Sequence, residues 1–83
     1  MMDPKRIKEI IEANLPDCTA LVSNDMGDGE HFDAEVVSSA FEGLNLVRQH
    51  QLVYGALGDH MKSDIHALAL KTFTPEKWAK KSH

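Results

Sequence analysis

Apolar residues recur along this chain with a period that changes from segment to segment. Ile7, Ile10, Ile11 and Leu15 follow three- and four-residue steps, the spacing of one helix face. Asp3-Pro4 supplies an N-cap and a first helical position, and Pro16 stops the run. The pattern predicts an amphipathic helix from Asp3 to about Asn14. Cys18 to Ser23 is short and partly β-branched, the mark of a strand. Asn24 to Glu30 holds two glycines with Asn and Asp, residues that favour tight turns. His31 to Ser38 then alternates, with Phe32, Ala34 and Val36 on one face and His31, Asp33 and Glu35 on the other. That is a half-buried strand, and with the preceding one it makes an antiparallel hairpin.

Phe41-Glu42-Gly43 breaks the alternation. Beyond it Leu46, Val47, His50, Val53, Tyr54, Leu57 and Met61 form the apolar stripe of a longer helix, capped by Asn45. Gly55 and Gly58 fall inside that helix and weaken it by up to about 1 kcal/mol each relative to Ala. Ile65 to Phe73 reads as a third strand, with His66, Leu68 and Leu70 on one face. Thr74-Pro75 opens a short final helix anchored by Trp78. The predicted order is α-β-β-α-β-α, an α+β domain with helices covering one face of a three-stranded mixed sheet. No linker interrupts it, so residues 1–83 form a single domain with an ordered core of about 3–80.

Size narrows the function classes. A chain of 83 residues buries only about 60–65% of its unfolded surface, so any site is expected to be shallow or shared with a partner. The single cysteine, Cys18, excludes an internal disulfide. No leader-like segment opens the chain, and no apolar run reaches the roughly 18–20 residues that span a bilayer. The expectation is a cytoplasmic protein, alone a monomer or weak homodimer. The net charge is −4, and seven acids with no Lys or Arg lie between Asp17 and Glu42. Basic residues gather at the two ends. Nucleic-acid binders draw affinity from a basic face, and this chain lacks a broad one.

Five histidines are the main candidates for chemistry, because imidazole can ligate metal or change charge near neutral pH. His83 is terminal, and His60 near the end of the long helix suits the helix dipole; both read as incidental. His50 falls on the apolar stripe, where a packed histidine with one hydrogen bond is the common outcome. His66 and His31 each open a strand, where solvent can reach them. Their spacing does not make a zinc motif, and it leaves open whether they converge. Cys18 has no adjacent Lys, Arg or His to activate it, and no Ser-His-Asp or Cys-His constellation appears. Gly55-Ala56-Leu57-Gly58 matches the GxxG string of KH domains, but it holds no Lys or Arg.

The ordered set of short strings resembles the BolA family, in particular its short bacterial IbaG-like branch. The strings are Gly27-Asp28-Gly29-Glu30-His31-Phe32, then Phe41-Glu42-Gly43-Leu44 leading to Leu52-Val53-Tyr54, then Ile65 to Trp78. The resemblance implies a fold similar to class II KH domains. It also implies a non-enzymatic partner of a monothiol glutaredoxin, the pair sharing a 2Fe–2S cluster in iron–sulfur handling or in iron and stress regulation. Glutaredoxin and glutathione would supply thiolates, and imidazole can replace thiolate at iron, as in Rieske centres. His66 matches the family histidine at the head of the last strand. The family's second ligand, His or Cys, comes from the loop between the first two strands. Here that loop has neither, and His31 at its end is the nearest candidate. His50 and Arg48 are candidate partner contacts. The alternative is a nucleic-acid-binding transcription regulator using Arg48, Lys77, Lys80 and Lys81. Where family members often read Arg-His-Arg this chain has Gln49-His50-Gln51, which weakens that transfer.

Overall fold

The computed structural model describes residues 3–24, 27, 31–63, 65 and 67–81. Helix α1 spans Pro4–Asn14, and Asp3 caps it by accepting the Lys5 N–H. Its fourth-residue rhythm turns Ile7 and Ile11 fully inward. Strands β1 (Thr19–Ser23) and β2 (His31–Val37) pair antiparallel, with Thr19 opposite Val37 and Ser23 opposite Asp33. The alternation in β2 falls as predicted, with Phe32, Ala34 and Val36 buried. Strand β3 (Ala67–Phe73) adds to the other side of β2 in parallel, from His31 opposite Ala67 to Val37 opposite Phe73. A parallel neighbour needs a long crossover. Here it runs through a 3₁₀ turn (Ser39–Phe41), helix α2 (Leu46–Leu57) and the short helix α3 (His60–Ser63).

The core gathers Ile7 and Ile11, the inner residues of β1 and β2, Phe41, Val53, Leu57 and Ile65. It lies between the sheet and the layer of α1 and α2, the α+β arrangement expected from the element order. Helix α4 (Pro75–Lys80) is capped by Thr74, whose hydroxyl accepts the Lys77 N–H. Trp78 anchors it edge-on to Phe73 at 5.2 Å between ring centroids. Strand alternation puts Phe73 opposite the core-side Thr72, so this last helix reaches round the end of the sheet. Lys81 completes the contact, over the Phe73 and Trp78 rings at 4.9 and 4.8 Å and paired with Glu35.

Helix α2 corrects the sequence reading in two respects. Its inward face is Gln49, Val53 and Leu57, while Leu46 and Val47 are 63% and 65% exposed and Tyr54 is exposed as well. Gln49 wins the inner position because the crossover leaves carbonyls needing donors. Its Nε2 donates to the carbonyls of Leu44 (2.8 Å) and Phe41 (3.4 Å), and its Oε1 accepts from Thr72 Oγ1 at 2.6 Å. Buried amides are tolerated when so satisfied. The helix also does not run on to Met61. Gly58 is its C-cap rather than an interior residue, at φ +56°, a region that favours glycine. Its N–H closes on the Tyr54 carbonyl at 2.9 Å. The third strand begins at Ala67, with buried Ile65 lying before it.

The two edges of the sheet differ. On β1, the Ala20 N–H donates to Glu12 Oε2 (3.0 Å) and the Ala20 carbonyl accepts from Lys8 Nζ (2.9 Å). Lys8 and Glu12 are themselves paired at 2.6 Å, one turn apart on α1. The ion pair therefore occupies the outward backbone of an edge strand, one of the ways proteins guard such edges.

Candidate site at the head of the parallel strands

His31 begins β2 on the face shared with Asp33 and Glu35, and it is half-buried. Gly27 N–H donates to both the carbonyl and Oδ1 of Asn24 at 3.0 Å, with Gly27 at φ +67°. Across the ladder the partner of His31 is Ala67. Neighbouring strands lie about 4.8 Å apart, and partners in a parallel pair share a face, so a methyl group stands next to the imidazole. Sequence reading did not find Ala67, because parallel register is set by the crossover and carries no local signature.

His66 lies outside the described residues, as do His83 and most of the loop before His31. The two residues that flank His66 in the chain are well tied. Ile65 is buried in the core and donates its N–H to the His60 carbonyl at 2.9 Å, and Ala67 pairs with His31. The expected sharing of a face by His66, Leu68 and Leu70 falls partly outside the described residues. Among the described residues, no three His, Cys, Asp or Glu side chains come together to hold a metal ion.

The other candidates are dispersed over separate elements. His50 is half-buried on α2 and meets Tyr54 edge-on at 6.4 Å between centroids. His60 sits in α3 rather than at the end of the long helix. Arg48 is exposed beside the α2 N-terminus, its N–H donating to Asn45 Oδ1 at 2.9 Å. Of the three C-terminal lysines, Lys80 pairs with Glu76 at 2.9 Å and Lys81 with Glu35. Only Arg48 and Lys77 of the four possible phosphate contacts are then without a carboxylate partner among the described residues. Cys18 packs against the core, and its thiol is pushed up to about 11, first by burial and then by the Glu12 carboxylate. Both effects favour the protonated thiol at neutral pH. No described helix is long and apolar enough to cross a membrane.

Comparison with known proteins agrees with the fold. Residues 10–77 match the family model described as BolA: BolA-like protein. The chain is 40% identical over 55 residues to the acid stress protein IbaG of Escherichia coli K12, covering 65% of this chain and 66% of that one. It is 43% identical over 56 residues to human BolA-like protein 1, which is 68% of this chain but only 41% of the human protein's length. A solved bolA protein homologue from Coxiella burnetii superposes with a TM-score of 0.83 at 45% identity, over 95% of this chain and 99% of that one. With the helix-capped mixed sheet, the matched span and the likeness to both sequences and structures in agreement, the chain belongs to the BolA family.

Proposed function

We propose that this chain is a non-enzymatic partner of a monothiol glutaredoxin, sharing a 2Fe–2S cluster in iron–sulfur handling or stress regulation. His66 is the primary ligand and His31 the second, with thiolates coming from the glutaredoxin and glutathione. The observation that carries this reading is the pairing of His31 with Ala67, the residue next to His66. The ladder partner of His31 is thus the residue bonded directly to His66 in the chain, and these two imidazoles would supply two ligands to a small cluster. They are also too few to hold it, as a site completed by a second polypeptide requires. His31 supports the reading further by its half-exposed place at a strand end.

The test is to titrate the protein into a cluster-loaded monothiol glutaredoxin and record visible absorption, circular dichroism and gel filtration. A heterocomplex with a changed visible spectrum is expected. His66→Ala should perturb that spectrum strongly and His31→Ala more weakly, with far-UV circular dichroism unchanged in both. An unaltered spectrum with no complex would remove the proposal.

A further inference from the structure

Among the described residues, the outer edge of β3 is unpaired where that of β1 is guarded at Ala20. Ser38 N–H donates to the Phe73 carbonyl at 3.2 Å, which fixes the phase of the parallel ladder. Phe73, Lys71, Ala69 and Ala67 direct their backbone groups to β2, and Leu68, Leu70 and Thr72 direct theirs outward. Among the described residues, nothing bonds to the outward N–H and C=O groups of these three. β3 is seven residues long and apolar apart from Lys71 and Thr72. Such an edge is a template for another strand.

We propose that this edge pairs with the same edge of a second copy, antiparallel, about a two-fold axis at Leu70. This inference is independent of the glutaredoxin reading. The register follows from which groups point outward. Leu70 faces Leu70 of the other copy and Leu68 faces Thr72, so every outward N–H and C=O of the three residues finds a partner. On the open face of the sheet, Lys71 then stands opposite the other copy's Ala69. Beyond that methyl group, one strand further, is Asp33, the ladder partner of Ala69. Lys71 and Asp33 are both exposed, and neither makes an ion pair with a described residue. Lys71 has Glu35 as its own ladder partner, but Lys81 holds that carboxylate. The two-fold brings each lysine over a small residue toward the opposite copy's Asp33, which has no ion-pair partner among the described residues, twice per dimer.

This charge match selects a second copy over an arbitrary extended segment. The guarded β1 edge also favours an assembly of two. Among the described strands the other edge is β1, and Lys8 and Glu12 occupy it at Ala20, which disfavours extension of the combined sheet into a filament. A single strand pair buries little surface, and the dimer is accordingly a weak, concentration-dependent one.

Sedimentation equilibrium of the full chain at low salt, from about 10 μM to about 1 mM, should pass from monomer toward dimer. Amide hydrogen exchange over the same range should show slowing at Leu68, Leu70 and Thr72, with Val22 on the guarded edge unaffected. Lys71→Glu places a carboxylate by Asp33 and should weaken the dimer about tenfold. The double exchange D33K/K71E should restore it to within about threefold of the starting affinity. A monomer throughout the range, protection that does not depend on concentration, or a K71E loss that the double exchange fails to rescue would each overturn the proposal.

Discussion

Gln49 makes three hydrogen bonds from a nearly dry position, two to crossover carbonyls and one from Thr72. Replacing it by Leu keeps the volume and strands all three partners. Since a buried polar group left unpaired costs about 1–3 kcal/mol, Gln49→Leu should lower stability by about 2–4 kcal/mol in urea denaturation. Thr72→Val, which removes only one of the bonds, should cost less. Cys18 makes the opposite case, a polar atom kept neutral by its surroundings. With the thiol at about 11, the thiolate fraction at pH 8 is roughly a hundredfold below that of an ordinary cysteine. Because a thiolate of higher pKa is also more nucleophilic, alkylation of the native protein followed by mass spectrometry should be slower than that of the urea-unfolded chain by about tenfold.

Among elements, the hairpin was the most legible from sequence. Phe32, Ala34 and Val36 alternate with polar residues, and a one-residue slip would expose all three. The inward face of α2 was not legible. Leu46, Val47 and Tyr54 carry the hydrophobicity of that helix yet lie outside, and the inner place goes to an amide needed by a distant loop. For the candidate site, the strand-end position of His31 could be read from the sequence. Its partner Ala67 could not, because it depends on how the crossover packs. The Lys8–Glu12 pair on β1 yields a prediction with a defined sign. Hydrogen bonds from Lys8 and from the Ala20 N–H hold the Glu12 carboxyl below its ordinary value of 4.5. A lowered pKa contributes stability that is present above the unfolded value and lost as pH falls through the folded one. Glu12→Gln should therefore cost about 1 kcal/mol near pH 7. It should cost much less near pH 3, as urea midpoints at the two pH values will report.

For the whole molecule, charge distribution decides between partners. The net charge is −4, and Lys80 and Lys81 are held by carboxylates. With Arg48 and Lys77 as the remaining candidate phosphate contacts, duplex DNA binding should show a salt slope no steeper than about −2 in log K against log salt. Fluorescence anisotropy at several salt concentrations will measure it. A slope several times larger would show that further exposed cations, such as Lys5, Arg6 and Lys71, also reach phosphate.

The mixed sheet also has a consequence in time. The hairpin is complete once Val37 has left the ribosome, but the strand that covers the other flank of β2 begins about 30 residues later, at Ala67. Translation at about 5–20 residues per second leaves that flank uncovered for some seconds. Nascent chains stalled between these points should be the species most readily captured by chaperones, and release past Phe73 should end their capture.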